Sequence, residues 1–468
     1  MEETTKKTLI PFFEPRSVAI IGASATPGKA GYEAVRNVLA NGYPGKIHLV
    51  NPKGGEILGL PVTPAISALP EGVDLAVVIL PAEGTPHALR ECAAKGIRHV
   101  ALMAGGFAEV DESGAQIQEE LLEIIRETGI RVLGPNISGH TSTPHSYTSA
   151  FFPLGKIRRG RVSVIAQTGN FATHTMKYIL SGEHFGVCRV IGLGNKVDID
   201  ETEALEYLAD DPETSAIVIY LESFKRARRF LEVAREVTRR KPVVMLKSGT
   251  TEAGKQAAVA HTAAMATEDR LVDGMLRQAG IVRVWEYTHL TLAAKALSML
   301  PLPRGNRVSF LAPSGAMLVA YTDLCVRLGL EVPSVSPETV QRLQEISPPY
   351  IRMRNPVDIW ASATVRGVEF AYREGMDAVL KDPNIDAVVP VLMLTREIGV
   401  PPFDFILDLV KKYPEKPVLV SFSGDKDCIE ECKAFLEPRG VPTFPEIEQP
   451  FEVLSILVRC HRALRRAQ

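Results

Sequence analysis

A doubly wound α/β fold built from parallel sheets is the fold class that the sequence predicts. Short continuous apolar runs recur along the chain, as expected for parallel strands that are buried on both faces. Helical patterns lie between these runs, and most runs end in small or polar residues. With 468 residues the chain is too long for a single core, so roughly two to four domains are expected.

The first α/β unit occupies the stretch from Ser17 to Gly134. Its first strand breaks at Gly22 into a glycine-rich turn, and a helical pattern then continues to Asn41. Glycines let a backbone approach a phosphate, and a helix start offers free N–H groups, so this turn predicts a nucleotide-phosphate site. The predicted strands of the unit are 17–21, 47–50, 75–80, 99–103 and 130–133.

This first turn departs from the dinucleotide-binding fingerprint. Ser24 stands where a second glycine would be, and Asn51 rather than an acid ends the second strand. The partner of a ribose 2′-hydroxyl is therefore missing, which favours an adenine nucleotide other than NAD and argues against an NAD-dependent oxidoreductase. Lys29, Lys46 and Lys53 are either phosphate ligands or ordinary solvated lysines.

The second unit repeats the alternation of strand, turn and helix. A stretch over 138–159, rich in Ser, Thr, Pro and Gly, precedes it as a linker or an excursion over a site. The first strand ends just before Thr168, Gly169 and Asn170, and a helical pattern begins at Phe171, so this turn is a second candidate anion cradle. The predicted strands are 161–166, 187–191, 216–220 and 242–246.

One histidine lies beyond the last of these strands. His261 is predicted to sit in a loop of small residues over 247–263, between that strand and a helix that starts near Asp269. Imidazole at the carboxyl edge of a sheet can act as a base, a metal ligand or a nucleophile, because its pKa of roughly 6.5 leaves one nitrogen free near neutral pH. A hydrogen-bonded loop histidine without a chemical role is the alternative.

A third α/β unit follows residues 301–305, whose composition is typical of a linker. Its alternation of strands and helices is similar to that of the second unit. Its first strand ends in the turn Ala312-Pro-Ser-Gly315, and a last helix is predicted over 449–464. Pro450 fits the first turn of that helix, where a missing N–H does no harm. The predicted strands are 307–311, 387–392 and 417–421.

Composition and charge exclude several classes of function. The chain is 46% apolar and 23% charged with a net charge of −2, which gives no reason to expect nucleic acid or an anionic membrane as partner. The sequence has neither an apolar run of membrane-spanning length nor a signal peptide at its start, so a cytoplasmic location is expected. Six scattered cysteines, of which only Cys428 and Cys432 are close, predict reduced structural thiols and no metal site.

Several segments together resemble the NDP-forming acyl-CoA synthetases, relatives of succinyl-CoA synthetase. The resemblance covers nearly the whole chain and is weakest after Gly305. It implies a Rossmann-like CoA-binding domain over 1–135, then two flavodoxin-like domains of the succinyl-CoA synthetase type over 136–300 and 305–468. The segments that carry it are 13–24 (FEPRSVAIIGAS), 42–46 (GYPGK), 50–53 (VNPK), 134–136 (GPN), 194–201 (GNKVDIDE), 220–222 (YLE) and the region of His261.

The resemblance also assigns roles to individual residues. His261 is the nucleophile that is transiently phosphorylated, Glu222 orients it, and the turn of Thr168, Gly169 and Asn170 holds the phosphate. Independent chemistry agrees, because a carboxylate on one ring nitrogen fixes the tautomer and helix N-termini stabilise phosphoryl oxygens. The residues implied to bind coenzyme A are Gly22, Ser24, Lys29, Asn51, Pro52, Lys53, Pro81 and Asn136.

The implied reaction converts an acyl-CoA, ADP and phosphate into a carboxylic acid, ATP and CoA through an acyl phosphate and phosphohistidine. No segment supplies the glycine-rich loop and Mg²⁺-binding acids of an ATP-grasp domain. The chain therefore resembles an α subunit, and ATP or ADP and Mg²⁺ are expected on a separate ATP-grasp β subunit. The small residues beside His261 are expected to let its loop reach that subunit.

Four positions depart from the family pattern. Ala263 replaces the glycine after His-Thr, Asn170 replaces a smaller residue in the phosphate turn, and Ile137 replaces a common cysteine. The turn at 312–315 also lacks the Asn-x-Gly-Gly pattern of the family. These departures motivate an alternative, a CoA-binding or acyl-CoA-binding regulatory or scaffold protein that kept the fold without the chemistry.

Overall fold

A computed structural model describes residues 3–262, 268–397 and 400–466, without the side chains of 3–7 and 258–262. The chain divides into two compact units, Met1–Leu290 and Thr291–Arg466. Three largely parallel sheets account for the α/β class, two in the first unit and one in the second. The parallel α/β class predicted from the apolar runs is therefore confirmed.

The first sheet has the order β3-β4-β2-β1-β5-β6-β7. Apart from β3, its strands are parallel, and their order is that of dinucleotide-binding folds. In such sheets ligands bind beyond the carboxyl ends of the strands where the order reverses, here between β1 and β5. The strands are β1 (Ser17–Ile21), β2 (Lys46–Val50), β3 (Glu56–Ile57), β4 (Leu60–Thr63), β5 (Leu75–Val78), β6 (His99–Leu102) and β7 (Arg131–Leu133).

The longest helix of this part begins and ends where the sequence provides caps. The Asp111 carboxylate accepts a hydrogen bond from the Gly114 amide at 2.8 Å at the start of this helix, and Gly129 ends it with a φ of 67°. The helix before β1 was not predicted, because Pro11 lies inside it and argues against a helix in the sequence. The four helices are α1 (Glu3–Phe13), α2 (Ala30–Ala40), α3 (Thr85–Ala94) and α4 (Glu112–Thr128).

The second sheet has the order β14-β13-β12-β10-β11-β8-β9. The five strands from β14 to β11 are parallel in the order of flavodoxin-like sheets, and the order reverses between β10 and β12. Buried side chains of both sheets form one continuous core. The strands are β8 (Thr141–Ser142), β9 (Tyr147–Thr148), β10 (Arg159–Ala166), β11 (Val187–Gly192), β12 (Ala216–Leu221), β13 (Val243–Lys247) and β14 (Val282–Val284).

The stretch over 138–159 is more ordered than a linker, which was one of the two interpretations of its composition. It holds the hairpin of β8 and β9, which pairs antiparallel with β11 at the edge of the sheet. Buried His140 fixes its start, bonding to the Phe12 carbonyl through Nε2 at 2.8 Å and to Ser149 Oγ through Nδ1 at 2.8 Å. Tertiary hydrogen bonds, which no local pattern reveals, therefore determine the fold of this stretch.

The helices around the second sheet include one irregular turn. A π-helical turn, Phe171–Thr175, continues directly into the first of them. The helices are α5 (Met176–Gly182), α6 (Glu201–Asp210), α7 (Ala227–Thr238), α8 (Glu252–Thr262), α9 (Asp269–Ala279) and α10 (Tyr287–Met299).

The third sheet, in the second unit, has the order β16-β15-β17-β18-β19 and is entirely parallel. This is again the flavodoxin-like order, so the rhythm shared by the second and third parts of the sequence corresponds to a shared topology. Its strands are β15 (Val308–Ala312), β16 (Val357–Asp358), β17 (Ala387–Leu394), β18 (Val420–Gly424) and β19 (Thr443–Phe444).

The helices of the second unit follow the same alternation, and the last one extends two residues beyond the predicted end. They are α11 (Gly315–Arg327), α12 (Pro337–Ile346), α13 (Trp360–Arg366), α14 (Val368–Lys381), α15 (Asp404–Lys412), α16 (Lys426–Leu436) and α17 (Gln449–Arg466). All six cysteines are buried and unpaired. Among the described residues, no helix combines the length and apolarity needed to cross a bilayer.

Candidate active site

The residues predicted to bind CoA lie at the carboxyl edge of the first sheet. Gly22 and Ser24 follow β1, the turn of Asn51, Pro52 and Lys53 follows β2, Pro81 lies beyond β5, and Asn136 lies beyond β7. Lys29 precedes the first residue of α2. The topology thus collects these residues at one edge, around the reversal between β1 and β5.

Gly22 occupies a position that only glycine fits. Its φ is +89°, and a Cβ atom there would lie 2.1 Å from the carbonyl oxygen of Ile79. The turn after β1 therefore packs directly against the backbone of the segment after β5. The Asn51 side chain adds a second tie, donating from Nδ2 to the Ala23 carbonyl at 2.8 Å and accepting the Lys53 amide at 3.0 Å.

Three further positions of this edge differ in what they offer a ligand. The Ser24 hydroxyl accepts the Thr26 amide at 3.1 Å within its own turn. The side chains of Lys29 and Lys53 are exposed and form no ion pair with any residue that the structure describes. Two cations are thus free for phosphate groups at an edge whose backbone is rigidly held.

Asn136 connects the two sheets of the first unit. Its φ is +61°, its amide donates to the Ala104 carbonyl at 2.7 Å, and its Nδ2 donates to Asn195 Oδ1 at 3.4 Å. The Asn195 side chain in turn donates to the Glu109 carboxylate at 2.7 Å. The GPN and GNK segments therefore meet in space, although nearly sixty positions separate them in the chain.

A glutamine links the predicted phosphate turn, residues 168–170, to Glu222. Gln167 follows β10 and is buried, and its Oε1 accepts the amides of Glu222 at 3.0 Å and Ser223 at 3.1 Å. Its Nε2 donates to Ser223 Oγ at 3.1 Å. The ends of the neighbouring strands β10 and β12 are thereby held together at the point where the strand order reverses.

A buried lysine completes this connection. Lys196 Nζ donates to Glu201 Oε2 at 2.9 Å, to Gln167 Oε1 at 3.2 Å and to the Ser223 carbonyl at 2.8 Å. Only 2% of the surface of Lys196 is exposed to solvent, and Glu201 is 0% exposed. Burial lowers the pKa of Lys196, and the Glu201 carboxylate opposes that effect. The pair lies beneath the candidate site and braces the backbone on which Glu222 stands.

The Glu222 carboxylate is itself positioned by neighbouring hydroxyls. The Tyr220 hydroxyl donates to Glu222 Oε1 at 3.3 Å and accepts from Ser248 Oγ at 3.0 Å. Burial raises the pKa of Tyr220, so the phenol keeps its proton at neutral pH. The adjacent Lys247 is also buried, and burial lowers its pKa.

The phosphate turn forms a helix start, as the sequence predicted. Thr168 Oγ1 accepts the Asn170 amide at 3.2 Å, and the backbone is helical from Gly169 onward. A Cβ atom on Gly169 would lie 2.2 Å from Ser138 Oγ, so the turn is tightly packed. The Asn170 side chain donates to Thr175 Oγ1 at 3.4 Å and to the Tyr287 hydroxyl at 3.3 Å. These partners give its larger side chain a defined place.

The predicted histidine loop is a helix for most of its length. Glu252–Thr262 forms α8, and Thr251 Oγ1 accepts the Gly254 amide at 3.1 Å as an N-cap does. The expectation of a loop was wrong, because four alanines among these eleven residues give the segment a high helix propensity. His261 lies in the last turn of α8, and its side chain, like all of Ala263, falls outside the described residues.

Four residues of this arrangement received no role from sequence reasoning. Gln167, Tyr220 and Ser248 stand at or next to the carboxyl end of a strand, and Lys196 lies four residues beyond the end of β11. Their position was a signal, but their partners come from other strands and could be identified only in the folded chain.

Three family models match the chain. They are a CoA binding domain over residues 16–140, a succinyl-CoA ligase like flavodoxin domain over 159–297 and a Ligase-CoA domain over 308–467. With the three parallel sheets and the paired strand ends described above, these matches define a ligase of the succinyl-CoA ligase type that carries a CoA-binding domain.

Comparison with similar proteins narrows this class of ligase to one family. The chain is 34% identical over 460 residues to the acetate–CoA ligase (ADP-forming) I subunit alpha of Pyrococcus furiosus, which covers 97% of each chain. It is 36% identical over 446 residues to acetate–CoA ligase (ADP-forming) II of Archaeoglobus fulgidus, covering 95% of this chain but only 65% of that longer relative. The chain belongs to the family of ADP-forming acyl-CoA synthetases, which are ligases.

A solved structure agrees with this assignment over nearly the whole chain. It is the dinucleotide forming acetyl-coenzyme A synthetase 1 of Ca. Korarchaeum cryptofilum in complex with phosphate and ADP. The TM-score is 0.89 at 31% identity, and the match covers 98% of each chain. Rossmann-like and flavodoxin-like sheets in this arrangement, expected from the resemblance of the sequence, are confirmed.

Proposed function

We propose that this chain is the CoA-binding α subunit of an ADP-forming acyl-CoA synthetase. The observation that carries the proposal is the hydrogen bonding of Gln167, which holds the phosphate turn and Glu222 at one strand reversal. Phosphoryl transfer depends on positioning and on donors to the phosphoryl oxygens, and a carboxylate nearby can orient an accepting histidine. We assign 1–135, 136–300 and 305–468 as the CoA-binding domain and the two ligase domains.

The first step uses the edge of the first sheet. CoA lies along the residues after β1, β2 and β5, with the ammonium groups of Lys29 and Lys53 near its phosphates. An oxygen of inorganic phosphate attacks the acyl carbonyl, the carbon–sulfur bond breaks, and CoA leaves as the thiol after taking a proton. The helix start at Gly169 binds the phosphate in this step, because its amides and dipole favour an anion.

The second step transfers the phosphoryl group to the protein. A ring nitrogen of His261 attacks the phosphorus of the acyl phosphate, the bond from phosphorus to the acyl oxygen breaks, and the carboxylic acid leaves as its anion. Glu222 accepts a hydrogen bond from the other ring nitrogen, which fixes the tautomer and stabilises the cation. An oxygen of ADP then attacks phosphohistidine, which yields ATP and free histidine.

A partner subunit is part of the proposal. The Pyrococcus relative is named as a subunit alpha, whereas the match leaves about a third of the longer Archaeoglobus relative uncovered. We infer that a β subunit of the ATP-grasp type binds ATP or ADP and Mg²⁺. The phosphorylated segment that includes His261 must reach that subunit. A cytoplasmic location stays a prediction.

The test is phosphorylation of the chain copurified with its native partner. Acyl-CoA and radiolabelled phosphate should place an acid-labile label on this subunit, and ADP should remove the label as ATP. His261→Asn should abolish labelling, whereas His87→Asn, a control at an exposed helix position, should label normally.

Two outcomes would contradict the proposal. Normal labelling of His261→Asn would place the phosphoryl group elsewhere. CoA binding by calorimetry without label or turnover, in the presence of the partner, would instead identify a CoA-binding scaffold protein.

A further inference from the structure

Tyr220 occupies an unusual position beside Glu222. It lies on β12, two residues before the carboxylate, and its hydroxyl donates to Glu222 Oε1 at 3.3 Å. The same hydroxyl accepts from Ser248 Oγ at 3.0 Å, and Ser248 follows the neighbouring strand β13. Two strand ends therefore contribute hydroxyl groups to one series of hydrogen bonds, which ends on the Glu222 carboxylate.

The direction of these hydrogen bonds follows from the chemistry of Ser248, Tyr220 and Glu222. A phenol has a single proton, and a carboxylate can only accept. Because Ser248 donates its proton to the phenolic oxygen, the proton of Tyr220 is left for Glu222. Burial keeps the pKa of Tyr220 above its ordinary value, so the donor persists across the neutral range.

The backbone and the side chain of Glu222 are held by different groups. Gln167 Oε1 accepts the amide of Glu222 and so restrains the main chain. The orientation of the carboxylate about its side-chain torsions depends on donors near its oxygens, and Tyr220 is such a donor on a rigid strand. The ring of Tyr220 meets the Tyr287 ring edge-on at 6.1 Å, which limits its own rotation.

We propose that Tyr220, supported by Ser248, is a positioning residue that aims the Glu222 carboxylate at the histidine to be phosphorylated. The inference rests on the proposed function, because it needs Glu222 to orient His261. It adds that the acid is effective only while one of its oxygens is held by the phenol.

The decisive variant is Tyr220→Phe, which keeps the ring and removes one hydroxyl. In the copurified enzyme we expect kcat and the rate of phosphohistidine formation to fall roughly tenfold, with KM for phosphate and acyl-CoA within about twofold of the wild type. Ser248→Ala removes the outer donor and should lower kcat by a smaller factor, roughly threefold.

A matched control exists in the second unit. The Tyr413 hydroxyl donates to the Asp377 carboxylate at 2.9 Å, which is the same chemistry outside the candidate site. Tyr413→Phe should leave kcat and KM unchanged. Circular dichroism of each variant shows whether it folds, and if Tyr220→Phe does not fold, the result for Ser248→Ala decides.

The outcomes separate the two proposals. If the wild type neither turns over nor labels, the proposed function itself is wrong. If the wild type labels but Tyr220→Phe retains its kcat, or if KM rises while kcat is unchanged, Tyr220 does not position Glu222. A loss of kcat in Tyr413→Phe equal to that in Tyr220→Phe would also overturn the inference.

Discussion

The buried pair of Lys196 and Glu201 allows a quantitative test of the structure. Replacing Lys196 by Met leaves the Glu201 carboxylate fully buried, with a hydrogen bond from the Lys225 amide at 2.7 Å as a remaining contact. Removing one partner of a buried ion pair costs about 3–5 kcal/mol of the free energy of unfolding, because the other charge stays uncompensated. We expect Lys196→Met to lose stability in that range.

The double variant isolates the cause. In Lys196→Met with Glu201→Gln, no charge remains buried, and the glutamine carbonyl can still accept the Lys225 amide. We expect this variant to regain about 1–3 kcal/mol relative to Lys196→Met, although it carries one substitution more. A double-mutant cycle with the single Glu201→Gln variant then gives the coupling energy of the pair.

The two tryptophans of the chain make the measurement specific. Trp285 lies in the first unit with Lys196, and Trp360 lies in the second unit. In a Trp360→Phe background, guanidinium unfolding followed by tryptophan fluorescence reports on the first unit alone. If Lys196→Met is destabilised by less than about 1 kcal/mol, or the double variant is the less stable of the two, the buried ion pair inferred here is wrong.

Three further predictions concern other positions of the first unit. His140 is fully buried and burial lowers its pKa to about 4, so the unfolded chain binds a proton more readily between pH 6.5 and 4. His140 should therefore contribute a fall of about 3 kcal/mol to the change in unfolding free energy on acidification across this window, and His140→Gln should lose that contribution in denaturant titrations. Gly22→Ala should abolish CoA binding in calorimetry, because its Cβ would meet a carbonyl oxygen. Gly28→Ala is the control, because Gly28 also has a positive φ but no atom lies within 4 Å of where its Cβ would be. It should cost only about 1 kcal/mol of stability and keep CoA binding. Gly169→Ala should lower kcat by roughly tenfold, with partial recovery when Ser138→Ala removes the clashing hydroxyl; full activity of Gly169→Ala would contradict the packing of the phosphate turn.

Local sequence patterns were sufficient to predict most strands of the three sheets. The apolar run over 17–21 matches β1, and the glycine at 22 marks its end. Such runs are readable because a strand buried on both faces needs apolar side chains at successive positions. Helix α8 was mistaken for a loop, since small residues are shared by flexible loops and stable helices, and only propensity distinguishes them.

The candidate site was predictable in part for the same reason. Glu222 and the phosphate turn stand at the ends of apolar runs, where a parallel sheet presents side chains to a ligand. Gln167 and Tyr220 were visible as polar residues at such ends, and Lys196 as one in the loop after β11, but none carried a sign of its partners. Hydrogen bonds between strands that are distant in sequence leave no periodic trace in the chain.

By itself, then, the sequence determined most of the strands and roughly where they end, because burial and turn geometry act on neighbouring positions. The folded chain alone decided which of those ends meet. The reversal between β10 and β12 brings Gln167 to Glu222, and the GPN and GNK segments touch through Asn136 and Asn195. Strand order depends on the packing of the whole sheet, and so the chemistry of the site became readable only in three dimensions.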